Sequence, residues 1–197
     1  MEIDRGRGLE KAADLFWSRG FGSTTLSDLL EATGMGRGSF YAAYGSKREL
    51  FQRVLGHYQA DSAALLRQIE SKHRGLAALD EFVRRTLLEA SAQRLRRGCL
   101  LVNSVVELEG VHPDLHDEST RHLRQLDRTC LRWLKEAERR AELRPGLTAS
   151  TLTPLITSLL FGLRVDARSG ESREALAARW ETFLSLFAET NVKGGQP

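Results

Sequence analysis

Two cysteines, Cys99 and Cys130, are all that the 197 residues contain, too few and too far apart for a disulfide framework or a zinc cluster. They read as two thiols in a reducing compartment. Prolines number only four, and no run of about 18 apolar residues occurs that could form a membrane-spanning helix. The opening MEIDRGRGLEKAAD is charged where a secretory leader needs an apolar stretch, so a cytoplasmic protein is expected. Also missing are a nucleophile elbow, an HExxH pair and a phosphate-loop motif. The expectation is a protein that is not an enzyme, with no cofactor and no metal. What is present is 41% hydrophobic and 28% charged residues, the composition of an ordinary folded domain.

Apolar residues recur at helical spacing along nearly the whole chain, and no stretch alternates long enough for a sheet. Leu9, Ala12, Ala13 and Phe16 make one face of a helix that closes at Arg19-Gly20. Thr25 and Asp28 have capping-box spacing and open a short helix of Leu26, Leu29, Leu30 and Thr33, for which Gly34 is a left-handed cap. Met35 then turns inward. Ser46 and Glu49 form a second capping box, ahead of a long helix carrying Leu50, Phe51, Val54, Leu55 and Tyr58. Further helices are expected near 75–95, 99–109, 114–141, 149–168 and 173–190, giving an all-α fold of about nine helices. The tail Lys193–Pro197 is expected to fray.

The stretch GMGRGSFYAAYG, 34 to 45, poses a choice. A nucleotide loop needs a preceding strand and GxGxxG or GxxxxGK[ST] spacing, and here the glycines run GxGxG after a capped helix. Phe40 and Tyr44, four apart, mark the core side of a short helix over 37–44. Helix, tight turn and helix in this order is the helix-turn-helix arrangement, whose second helix can enter a DNA major groove. Charge agrees with an anionic partner. The net charge is only +3, but residues 36–53 hold Arg37, Lys47, Arg48 and Arg53 against Glu49 alone.

The run TTLSDLLEATGMGRGSFYAAYGSKRELF, 24 to 51, resembles the DNA-binding segment of tetracycline-repressor (TetR) family transcription regulators. The resemblance extends back through Leu9, Ala12, Phe16 and Arg19-Gly20-Phe21, and GCLLVNSVVEL, 98 to 108, adds to it. It implies a helix-turn-helix DNA-binding domain over 1–48 and a ligand-binding and dimerisation domain over 49–197. A homodimer would bind a pseudo-palindromic double-stranded operator, and a small-molecule effector would release this repressor. Positions matching the family's DNA contacts are Thr24, Thr25, Arg37, Gly38, Ser39, Tyr41 and Lys47. Chemistry suits them: hydroxyls and exposed N–H groups at helix N-termini bind phosphate oxygens, and arginine reads guanine or phosphate. Ala42 and Ala43 depart from the bulkier residues of many members, and Gly36 replaces a serine or threonine cap. The alternative is a helical interaction or adaptor protein that no longer binds DNA.

In the larger part, two strongly apolar helices supply the expected dimer interface, with Leu155, Leu159 and Leu163 on one and Trp180, Phe183, Leu184 and Phe187 on the other. An effector pocket would take its lining from Val102, Val105, Val106, Leu126, Cys130, Trp133 and Phe161, with Asn103 and Glu107 as polar orienting groups; ordinary core is the competing reading. His112, His116 and His122, near Asp117, read as solvated side chains rather than metal ligands. Cys99 follows Arg94, Arg96 and Arg97 at a helix start, so it is either a candidate sensor thiol or a small apolar residue of the stripe.

Overall fold

The computed structural model describes residues 2–189, which places the tail at 193–197 outside the described residues. The fold is all-α: α1 (Glu2–Arg19), α2 (Leu26–Thr33), α3 (Arg37–Tyr44), α4 (Lys47–Lys72), α5 (Gly75–Val83), α6 (Ala92–Arg97), α7 (Leu100–Leu108), α8 (Pro113–Arg139), α9 (Ala149–Ser169) and α10 (Arg173–Phe187). A π-helical turn, Arg84–Leu88, prolongs α5, and one isolated antiparallel bridge joins Leu143 to Ala188. The chain packs as two units, residues up to 63 with 99–122, and residues 64–98 with 123 onward.

In the first unit, α1 and α2 pack together and α3 follows α2 after a three-residue turn, 34–36. Thr25 caps α2 in both directions: its hydroxyl oxygen accepts from the Asp28 N–H at 3.1 Å, while its own N–H donates to the Asp28 carboxylate at 2.8 Å. The other end is closed by Gly34 at φ +71, a left-handed conformation that a side chain would strain. Ser46 starts α4, accepting the Glu49 N–H at 3.1 Å. Between these caps, Phe40 and Tyr44 turn α3's inner face into the core, as their spacing predicts. Phe16 of α1, Phe21 beyond it and Phe51 of α4 complete that core, with ring centroids 4.9 to 6.0 Å apart.

The second unit has its own core of residues from α4, α5, α8, α9 and α10. The helix expected over 75–95 is divided. Its last turn widens at Arg84–Leu88, where the Glu89 N–H reaches the Arg84 carbonyl at 2.7 Å, and Ser91 caps a new helix by accepting the Arg94 N–H at 3.2 Å. Glu81 draws Arg84 and Arg85 into this turn at 2.7 and 2.6 Å. Three residues expected at a dimer interface belong instead to this core. Leu163, Trp180 and Phe187 are 1–2% exposed, and the Trp180 indole N–H donates to Asp80 at 2.8 Å. Each of these helices buries one side of its broad apolar stripe in the chain's own core.

Hydrogen bonds from the Thr25 hydroxyl and backbone, reinforced by Arg19 at 3.0 Å, hold the Asp28 carboxyl below its ordinary range. A depressed carboxyl stabilises the fold above its unfolded value of about 3.9, and this contribution is lost as pH falls through the lower folded value. Thermal midpoints of the wild type and Asp28→Asn should therefore differ at neutral pH and converge in acid; a gap that persists at about pH 2 would refute this account of the cap. Burial pushes the Cys130 thiol up to about 12, whereas Cys99 is half-buried. In native protein near pH 8, an alkylating reagent should label Cys99 first and leave Cys130 untouched until unfolding. Equal labelling rates would contradict the packing around Cys130.

Candidate nucleic-acid interface

Helix α3 presents a two-sided surface eight residues long. Its inner side is Phe40 and Tyr44, and its outer arc is Arg37, Gly38, Ser39, Tyr41 and Ala42, all exposed. Gly36 stands at the N-cap with extended backbone and makes no side-chain cap. The first turn is therefore left to bond with whatever lies outside. Tyr41 is 47% exposed although its ring meets Phe40 edge-on at 5.8 Å, so packing sets its position while much of the residue stays open to solvent. Thr25 is exposed at the start of α2.

Thr24 does not belong with these residues. It is 0% exposed, and its hydroxyl donates to the Gly20 carbonyl at 2.6 Å, so it closes the turn after α1 and offers no side chain to DNA.

The basic residues of 36–53 are largely engaged within the unit. Arg53 donates to the Ala43 carbonyl at 2.9 Å and so holds the C-terminal end of α3. Arg48 pairs with Asp114, in the first turn of α8, through its Nε at 3.0 Å. The Lys47 ammonium rests over the Phe21 ring, 4.4 Å from its centroid, in a cation–π contact. Burial there lowers the Lys47 pKa, against the opposing pull of the Glu107 and Asp28 carboxylates. Arg37 alone of the four stands on α3's exposed arc.

Glu107, expected to orient a ligand, is committed elsewhere. Its carboxylate accepts the Phe21 N–H at 3.0 Å and the Gly22 N–H at 2.6 Å. The turn that receives it begins at Gly20, φ +89, where a side chain would both strain the backbone and meet the Glu107 oxygens. His112 is likewise not simply solvated, since its ring meets Phe21 edge-on at 4.9 Å. Nothing local in the sequence announces the Glu107 bond, which spans 85 residues. Its one signal is an acid on a helix that is otherwise mostly apolar.

The remaining pocket candidates are distributed between the two units. Val102, Asn103 and Val105 are half-buried on α7, but Val106 is 77% exposed and lines nothing in this chain. Cys130 and Trp133 are core members of the second unit, Leu126 packs against that core, and the Trp133 indole N–H donates to Glu70 at 3.1 Å. Phe161 is half-buried on α9. At the start of α7, the Cys99 sulfur lies 3.6 Å from the Tyr58 hydroxyl.

Comparison with known proteins agrees with this geometry. The model of tetR family bacterial regulatory proteins matches residues 9–54, and that of tetracyclin repressor-like C-terminal domains matches residues 75–183. The HTH-type transcriptional repressor ComR of Escherichia coli is 30% identical over 95% of this chain and 90% of its own length. A TetR family regulator from Agrobacterium tumefaciens shares the fold with a TM-score of 0.86 at 18% identity, over 95% of this chain and 99% of that one. A cysteine variant of the TetR family regulator CifR, solved with a 26-bp double-strand operator DNA, aligns with a TM-score of 0.72 at 28% identity over 92% of this chain and 95% of that one. With a capped helix-turn-helix in the matched segment and both family models in register along the chain, the protein belongs to the tetR family of bacterial regulatory proteins and is a DNA-binding transcriptional regulator.

Proposed function

We propose that this cytoplasmic regulator is a repressor that grips a pseudo-palindromic operator as a homodimer and is released by a small-molecule effector. The observation that carries the DNA part is the division of α3, with Phe40 and Tyr44 fully buried and Arg37, Gly38, Ser39 and Tyr41 all exposed. Arg37 would read a guanine edge or take a phosphate, and Tyr41 would donate to a phosphate. Gly38 and Ser39 lie in the helix's uncapped first turn, where backbone N–H groups suit a phosphate oxygen. Thr25 and Lys47, at the starts of α2 and α4, complete the set. The likeness to a regulator solved on operator DNA supports the partner, and the likeness to a repressor supports the sign of regulation.

For dimerisation, the exposed side of α9 carries Leu155, Leu159, Gly162 and Val165 in one stripe, with Leu155 and Val165 more than half exposed. A Cβ at Gly162 would meet nothing in the protomer, which leaves room for a partner helix to come close. Phe183 and Leu184, half-buried on α10, and the exposed Leu186 continue the apolar character. A two-fold pair of such surfaces gives the two recognition helices that a pseudo-palindrome requires. The effector would act by binding the DNA-incompetent arrangement better, with a coupling of about 1–3 kcal/mol. Val102, Asn103 and Val105 on α7, and Leu126, Cys130, Trp133 and Phe161 in the second unit, are the candidate surfaces for it. A sensor role for Cys99 would require its modification to change operator affinity.

In gel shifts on the DNA upstream of its own gene, Arg37→Ala and Tyr41→Phe should each weaken binding by about 1–3 kcal/mol without loss of fold. Lys47→Ala should lower the salt slope by about one unit and leave sequence preference alone. Unchanged affinity in all three would remove α3 and α4 from the interface. Light scattering should give a dimer mass for the wild type and a monomer mass for the Leu155→Asp/Leu186→Asp double variant. A double variant that stays dimeric would move the interface off this surface.

A further inference from the structure

We propose that Glu107 is a positioning residue for operator binding: from α7 it latches the turn after α1, and through Phe21 it seats Lys47. The inference rests on the operator reading above and adds to it a residue that touches no DNA. One of the two N–H groups that Glu107 accepts does not require a protein partner for its own sake. Gly22 is exposed, and water would satisfy its N–H. What the carboxylate supplies is therefore a fixed connection between two parts of the chain, made of two charge-assisted bonds at 2.6 and 3.0 Å.

The latched turn governs much of the proposed interface. Immediately after it, Thr24 bonds back to Gly20 and Thr25 begins α2, so the entry of α2 is set by where this turn lies. Inside it, Phe21 packs on Phe16 and Phe51 and carries the Lys47 ammonium on its face. Glu107 also attracts Lys47 electrostatically. Two further links tie the same corner of the chain to the N-terminal helix-turn-helix head, the domain expected over 1–48: His112 against Phe21, and Asp114 paired with Arg48. A shift of α7 by about an ångström would lengthen both Glu107 bonds beyond hydrogen-bond range and loosen the turn, Phe21 and the Lys47 seat together. The head would then lose the arrangement that binds DNA, with no side chain of the interface itself altered.

The test uses the full-length protein, its upstream DNA and Glu107→Ala beside the size-matched Glu107→Gln, which covers a failure of the alanine variant to fold. Both variants should speed amide hydrogen exchange at Phe21 and Gly22 in the free protein. Both should weaken operator binding about tenfold while circular dichroism shows an unchanged helix content. Because Glu107 acts partly through Lys47, the Lys47→Ala/Glu107→Ala pair should lose less affinity than the product of the two single losses, a coupling that a purely structural staple would not show. Wild-type operator affinity in the Glu107 variants, or multiplicative losses in the double variant, beside a weakened Arg37→Ala, would overturn this proposal alone. If Arg37→Ala and Lys47→Ala both bind as the wild type does, the operator reading fails and takes this one with it.

Discussion

The Phe21 side chain is the junction on which the first unit depends. It lies in a turn, yet it is buried among aromatic rings from α1 and α4, and its backbone N–H is held from α7. A three-helix head of this size has little apolar area to bury, and aromatic side chains supply the most area per residue ordered. Placing one of them between helices means that α1, α4 and the α7–α8 corner cannot move independently. Lys47 adds its charge to the ring face, so an electrostatic contact shares the position that packing has already fixed.

This arrangement changes how the basic residues of 36–53 act. Spread on a solvated face, four cations would simply raise the local potential. Here Arg53 holds the end of α3 and Arg48 holds the corner at Asp114, while Arg37 remains on the outer arc. The internal pairs are exposed enough that each adds little stability on its own. Their effect is geometric: they tie down the C-terminal end of α3 and the start of α4, while Arg37 and Tyr41 stay on the outer arc.

Much of this was legible in the sequence because it is local. The Thr25–Asp28 and Ser46–Glu49 boxes, the Gly34 cap, and the division of α3 by Phe40 and Tyr44 are each set within four residues. The domain-scale order of helices followed from the same kind of signal. The features that escaped are those set by distant partners. Glu107 looks like a pocket acid until the turn 85 residues away is brought to it, and Thr24 looks like a phosphate ligand until its hydroxyl is seen on Gly20. The break after α5 escaped for another reason. A π turn is a single-turn widening inside an otherwise helical run, too short to disturb the apolar pattern clearly, so Arg84–Leu88 carries no signature beyond Ser91 as the next cap. The breadth of the α9 and α10 stripes was visible, but apolar spacing cannot say which side faces the chain's own core, and Leu163 and Trp180 proved to be inside while Leu155 remained outside.

The composition of α3 explains why positioning should matter more here than in a head with longer reading side chains. Ala42 is exposed on the outer arc and can offer a base only a methyl group, and Ala43 is half-buried. On the proposed interface, direct readout would fall to Arg37 and Ser39, with Tyr41 directed to the backbone, and the balance would come from DNA shape. Shape readout works through simultaneous phosphate contacts at fixed spacing, each of modest energy, so an error of about an ångström in the head weakens several contacts together. A rigid head is the physical answer to a short list of reading residues. The aromatic junction at Phe21, the arginine at the end of α3 and the carboxylate from α7 each remove freedom from the segment that would meet the operator. Rigidity obtained partly from α7 has a second consequence, because any ligand that displaces this helix acts on all of those contacts without approaching the DNA.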